Sequence, residues 1–176
     1  MGSDSSIVPQ PGIEESIVAA LDELGATYVL ERCDETLSDT AAWCEVYGHT
    51  MTSSTSCITL ASKRDPKVYS CCLVMADKRV DVNKKARALM GLSKKNRPSF
   101  ASAEDTTELS DMIPGGVCPF ALPEGMPLFV DEAVLSSGEA WAGTPELPPL
   151  IWTGGGSRGL KIGVRFFKIR NTTISN

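Results

Sequence analysis

Two glycine-rich stretches are the parts of this 176-residue chain whose residue types and spacing could do chemistry. The first, Pro114-Gly115-Gly116-Val117-Cys118-Pro119-Phe120, sets rigid prolines beside glycines that can take positive φ. Such a loop can hold several backbone N–H groups pointing outward, and donors of that kind suit a carbonyl or a developing oxyanion. The same loop fits a structural turn equally well. The second stretch, Gly154-Gly155-Gly156-Ser157-Arg158-Gly159, contains a literal G-x-G-x-x-G. A dinucleotide-binding fingerprint needs a helix directly after the glycines and an acidic residue about twenty positions on. Here a strand-like run follows, the chain ends at Asn176, and no Walker A lysine follows the glycines, so that reading fails. What remains is a tight turn between two strands, either a plain hairpin or a bare backbone that approaches a ligand with Arg158 beside it.

Charge is segregated in a way that the net value of −5 conceals. Residues 1–62 carry ten acids against the single base Arg32, a balance of −9. Residues 63–97 carry eleven bases against Asp65, Asp77 and Asp81, a balance of +8. Residues 98–157 return to −9, and the stretch from Arg158 adds +5. One basic face on an acidic molecule attracts a polyanion; the alternative is a solvated lysine-rich helix and loop. The six cysteines, Cys33, Cys44, Cys57, Cys71, Cys72 and Cys118, include no C-x-x-C pair, and the lone His49 has no ligand partner at a familiar interval. Adjacent Cys71 and Cys72 would point to opposite faces of a strand. The cysteines read as reduced core thiols, and neither a metal nor a cofactor is expected.

The length and the 42% hydrophobic content predict one domain with one substantial core. Collagen-like, coiled-coil and wholly disordered chains are excluded by composition, and no apolar run approaches the roughly 18 residues of a membrane span. No basic segment followed by an apolar stretch opens the chain, so a cytosolic protein is expected. Residues 1–12 read as a disordered leader, 13–170 as the domain and 171–176 as a tail. Ile13, Ile17, Val18, Leu21 and Leu24 fall at helical spacing before Gly25. Tyr28 to Cys33 reads as a strand, and Ser38-Asp39 caps a short helix that ends near Gly48. Cys57 to Ala61 and Val68 to Met75 form a hairpin at the centre of the sheet. Asp81 caps a basic helix, Val82 to Met90, and Ser102 with Asp105 opens another. Leu128 to Asp131, Leu150 to Thr153 and Leu160 to Phe167 add strands. The irregular alternation predicts an α/β (α+β) fold: a mixed, partly barrel-like sheet with helices around it.

Taken in order, these features resemble the YbaK/prolyl-tRNA-synthetase-associated domain family of aminoacyl-tRNA deacylases. The resemblance runs from about Ile13 to Val164. It is carried by Cys57 to Leu60 with Val68 to Ala76, by Arg79-Val80-Asp81-Val82-Asn83-Lys84-Lys85 leading to Ala88-Leu89-Met90-Gly91, and by Ser99-Phe100-Ala101-Ser102. Gly115-Gly116-Val117-Cys118-Pro119-Phe120, Leu128-Phe129-Val130-Asp131-Glu132 and Gly155-Gly156-Ser157-Arg158-Gly159-Leu160 complete it. The resemblance implies hydrolysis of the ester joining a wrongly attached small amino acid to the 3′ end of a tRNA, with Gly115 to Pro119 shaping the pocket. It gives Gly115 and Gly116 as catalytic donors. Ile58, Val117, Cys118, Pro119, Phe120, Gly154, Gly155, Gly156 and Arg158 become substrate contacts, and the Thr50 to Ser56 segment a further wall. Lys78, Arg79, Lys84, Lys85 and Arg87 become contacts to the phosphates of the acceptor stem. Mischarged tRNA is the implied partner, an aminoacyl-tRNA synthetase is allowed as another, and no membrane is involved.

Three positions depart from the family pattern. Typical members have a lysine before the Thr-Leu of the first central strand, where this chain has Ile58. They have a serine before the Gly-Gly of the last loop and an aspartate two residues after its final glycine, where this chain has Gly154 and Lys161. The sequence reading makes Lys161 a catalytic candidate that supplies from a neighbouring strand the charge Ile58 lacks; the alternative is an exposed strand residue. Two function classes therefore stand, a trans-editing deacylase and a non-catalytic module that binds aminoacyl-tRNA or a nucleotide-like ligand.

Overall fold

A computed structural model of the chain describes residues 12–37, 39–139, 150–165 and 172–175. The expected leader falls almost wholly outside these residues, as do Phe166 and Phe167 of the last expected strand. The first helix, α1 (Ile13–Glu23), buries Ile13, Ile17 and Leu21, one face at helical spacing. Gly25, at φ 66°, follows its end. Burying a side chain such as Ile17 or Leu21 contributes about 2–3 kcal/mol. Strand β1 (Thr27–Arg32) follows, and then α2 (Thr40–Tyr47), whose cap is Asp39 accepting the Ala42 N–H. Gly48 closes α2 at φ 74°.

Strands β2 (Thr55–Ser62) and β3 (Tyr69–Met75) make the expected antiparallel hairpin, with Ile58 opposite Cys72. The basic segment departs from one regular helix. Asp81 accepts the Lys84 N–H, Val82–Ala86 form a wide π turn, and only Arg87–Leu89 (α3) are α-helical. Strand β4 (Pro98–Phe100) pairs with the end of β2, and α4 (Ala103–Ser110) starts where Ser102 accepts the Asp105 N–H. Strand β5 (Leu128–Asp131) lies parallel to β3, and α5 (Glu132–Glu139) follows it. Strands β6 (Leu150–Gly154) and β7 (Leu160–Arg165) form a second hairpin. Thr172–Ser175, placed by the sequence in a tail, pair parallel with β5 as β8.

The strands form two sheets, β1-β7-β6 and β4-β2-β3-β5-β8. A parallel bridge between Ser54 and Trp152 joins their margins, and Thr55 donates its hydroxyl to the Trp152 carbonyl at 2.9 Å. The mixed α+β architecture is the expected one, and the two sheets adjoin without closing into a barrel. The main core fills the space between the sheets and α1. Cys71, Leu73 and Met75 enter it, whereas Cys72 faces a separate apolar cluster beneath the basic turn with Leu60, Ala86 and Phe129. That split places Cys71 and Cys72 on opposite faces of β3. Among the described residues, no helix is long and apolar enough to cross a membrane.

Candidate functional site

The earlier glycine stretch folds as a tight turn. Gly116 donates its N–H to the Ile113 carbonyl at 2.9 Å, with Pro114 and Gly115 at the corners. Gly115 takes φ 87°, which suits the second corner of a type II turn, and proline pre-sets the first. The later stretch closes the β6–β7 hairpin, where Gly155 donates to the Leu160 carbonyl at 3.0 Å. The two loops meet backbone to backbone: Gly156 donates to the Gly116 carbonyl at 2.7 Å, and Ile113 donates to the Gly156 carbonyl at 3.3 Å. A Cβ on Gly154 would stand 2.6 Å from the Gly116 oxygen, and one on Gly116 would stand 2.5 Å from the Ser157 oxygen. Any side chain would drive the loops apart, which gives the departure at Gly154 a physical reason.

Beside this junction lies a cleft of about 230 Å³. Cys57, Ile58 and Thr59 of β2 form one wall, at the point where β4 ends and Ala101 donates its N–H to the Thr59 carbonyl at 2.9 Å. Phe100, Ala101 and Thr106 form a second wall, and Pro114, Gly115 and Val117 the third. Two backbone donors of this third wall, the N–H groups of Gly115 and Val117, have no partner among the described residues. Gly116, the donor named beside Gly115 from sequence, has its N–H committed to Ile113. The Cys57 thiol is held well above its ordinary pKa by its hydrogen bond with Cys71 and by burial, so it stays protonated near neutrality and is a poor nucleophile.

The structure thus brings Ile58, Gly115 and Val117 to one cleft, with Gly116 and Gly154 packed behind it. Other expected contacts lie elsewhere. Cys118 is sealed in the main core with Phe120, and burial pushes its thiol up to about 12. Pro119 is buried as well. Gly155 and Gly156 are buried against Leu160 and α1. Arg158 gives its carbonyl to the Cys33 thiol at 3.5 Å, and its Nε is buried without a partner among the described residues. The segment Thr50 to Ser56 does not line the cleft. Sequence reasoning left Thr59, Phe100, Ala101, Thr106 and Pro114 out of the site. The order of the Ser99-Phe100-Ala101-Ser102 motif was the one available signal, and Phe100 is 67% exposed at the cleft despite being aromatic.

Lys161 occupies a different environment from that expected of it. It pairs with Gly154 and Glu31 across neighbouring strands and is 6% exposed. Its Nζ lies 5.3 Å from the centre of the Trp43 ring, and burial lowers its pKa. The same face carries His49, whose Nε2 lies 3.0 Å from the Glu31 carboxylate and whose ring packs against both Trp43 and Trp152 at 4.4 Å. Lys161 is absent from the residues lining the cleft with Ile58, because its side chain reaches instead to the Trp43 ring of α2.

Of the five basic residues expected at phosphates, Arg87 spends its guanidinium on the Asn83 and Leu92 carbonyls, at 2.8 and 3.0 Å. Lys78 stands 3.8 Å from Asp77. Arg79, Lys84 and Lys85 are exposed, and no ion pair forms on them among the described residues.

The profile of the aminoacyl-tRNA editing domain matches residues 35–146. Solved structures share the fold. A hypothetical protein superposes with a TM-score of 0.66 at 20% identity, covering 84% of this chain and 87% of its own. A candidate trans-editing enzyme for prolyl tRNA synthetase gives 0.64 at 19%, covering 89% and 87%. A scaffold used for epitope backbone grafting gives 0.63 at 17%, covering 88% and 86%. No curated protein matches the chain. With the profile spanning more than half of the sequence and the two glycine turns joined beside a cleft, the chain belongs to the aminoacyl-tRNA editing domain family.

Proposed function

We propose that the protein is a trans-editing deacylase that hydrolyses the ester between a small, wrongly attached amino acid and the 3′ end of a tRNA. The observation that carries this reading is that Gly115 and Val117, whose N–H groups have no partner among the described residues, line the wall of a cleft of about 230 Å³. Water adds to the ester carbonyl, the tetrahedral oxyanion is met by these donors, and collapse expels the terminal ribose oxygen, which takes up a proton. The products are a free amino acid and an intact tRNA. An activated ester needs orientation and oxyanion stabilisation more than a side-chain nucleophile. Thr106 lines the same cleft, and its hydroxyl, which has no hydrogen-bond partner among the described residues, would hold the attacking water or the ribose. Arg79, Lys84 and Lys85 supply the field that draws the acceptor stem. A synthetase that mischarges the same tRNA is a natural partner.

The same cleft supports a second reading. Its wall carries Ile58 in place of the family's lysine, and its one titratable side chain, Cys57, stays neutral. A pocket of that kind can recognise an aminoacyl-adenosine without turning it over. A deacylation assay over a panel of mischarged tRNAs separates the two: release of amino acid from any member establishes the enzyme, and saturable binding with no release establishes the module.

A further inference from the structure

A second cavity of about 230 Å³ opens on the outer face of the larger sheet, between β3, β5 and the basic turn after Asp81. Its floor is apolar, made by buried Cys72 and Phe129, and Val80 and Leu89 of the same cluster wall it. Its rim is charged, with Arg79, Asp81 and Lys85 exposed on one side, where Asp81 accepts the Lys84 N–H, and Asp131 at the end of β5. Asp131 commits one carboxylate oxygen to the Ala133 N–H at 2.9 Å, and its other oxygen has no partner among the described residues. This cavity adjoins the cleft. Ile58 lines the cleft, packs on the cluster that walls the cavity, and pairs directly with Cys72 on its floor. Ile58 at the cleft and Cys72 at the cavity thus stand on adjacent strands, whose backbones run roughly 4.8 Å apart.

We propose that this cavity is a subsite for the base of the penultimate nucleotide of a single-stranded RNA 3′ end, with cytosine as the preferred base. The proposal rests on reading the cleft as the seat of the terminal aminoacyl-adenosine, because the next nucleotide of an extended strand then falls over Cys72 and Phe129. The apolar floor receives the face of the base, as aromatic and aliphatic surfaces do in single-strand binding sites. The Asp131 oxygen that has no partner among the described residues accepts from the cytosine amino group, a donor that uracil replaces with a carbonyl acceptor. Arg79 and Lys85 at the rim take the adjoining phosphate. A site for phosphate alone would leave the two carboxylates at its edge, Asp81 and Asp131, unexplained.

The test uses uncharged RNA hairpins carrying a 5′ fluorophore and an unpaired 3′ overhang that ends in CCA or in CUA, with affinities read by anisotropy at one fixed salt concentration. The wild-type chain is expected to bind the CCA hairpin about tenfold more tightly, within the range of one well-matched base contact. Asp131→Asn keeps an oxygen for the Ala133 N–H and turns an amide donor toward the base, so the preference is expected to vanish or reverse. Leu89→Trp fills the cavity from the partly buried side of the turn, and is expected to bring the two affinities together. Equal wild-type affinities, or a preference that both variants leave intact, would overturn the proposal. Amino-acid release from the mischarged panel is scored separately. A CCA preference without release supports the subsite and removes the deacylase reading, whereas release with no penultimate preference removes the subsite alone.

Discussion

Gly156 donates its backbone N–H to the Gly116 carbonyl across 2.7 Å, and this bond ties together two loops that are far apart in the sequence. Gly154 completes the junction, because a Cβ there would meet the Gly116 and Val117 oxygens at 2.6 and 2.7 Å. The wall of the cleft is thus a backbone structure whose position depends on missing side chains.

Gly154→Ala is expected to destabilise the protein by about 1–3 kcal/mol, since the obstructing atoms are backbone and cannot rotate away. Chemical denaturation at constant slope measures this. If the deacylase reading holds, release of amino acid falls more steeply than stability predicts, because Gly115 and Val117 move with the loop. An alanine variant as stable and as active as wild type would contradict the junction.

Phe100→Ala tests the exposed ring at the cleft. With 67% of its surface in water, the ring contributes little to the core, so the melting temperature is expected to change little. A base stacked on an aromatic ring is worth about 1–3 kcal/mol, so the KM for mischarged tRNA should rise about tenfold. A drop in stability with unchanged KM would make Phe100 a structural residue.

Lys161→Met is expected to stabilise the chain. The buried ammonium has Trp43 beneath it, no ion pair on it among the described residues, and a pKa lowered from 10.5 by burial. Between the lowered value and 10.5 the unfolded chain binds more protons than the folded one, so wild-type stability rises with pH through that window. Methionine removes the desolvation cost, with an expected gain of about 1 kcal/mol at neutral pH and a flattened alkaline rise. Denaturation midpoints at neutral and alkaline pH read both effects, and a loss of stability at both would show that the cation–π contact outweighs burial.

Glu14→Gln addresses the acid side. Arg32 binds both Glu14 oxygens, at 2.9 and 2.7 Å, and Ser157 donates to the same carboxylate at 2.6 Å. The Arg32 hydrogen bonds, helped by Ser157, hold the Glu14 carboxyl below its ordinary 4.5. Stability from this group is complete above 4.5 and is lost as pH falls through the lowered folded value. The glutamine variant is expected to be less stable at neutral pH and to converge with wild type below that window. Parallel midpoint curves at all pH values would refute the linkage.

Local rules made much of this molecule legible in one dimension. The spacing of Ile13, Ile17 and Leu21 set the buried face of α1, Asp39 and Ser102 capped their helices as polar side chains do, and alternation separated Cys71 from Cys72. The two glycine loops were recognisable because positive φ and close approach demand residues without a Cβ. Three-dimensional packing decided the rest. Cys118 and Phe120 share the Gly115–Pro119 stretch yet turn into the core, since a turn sends successive residues in different directions. Lys161 entered the aromatic roof beneath α2, and Gly116 lost its N–H to Ile113. Phe100 and Thr106 reached the cleft from segments far from both glycine loops. Sequence patterns report the conformation each residue prefers, whereas which side chains share a cavity is a property of non-local contacts that no short spacing encodes.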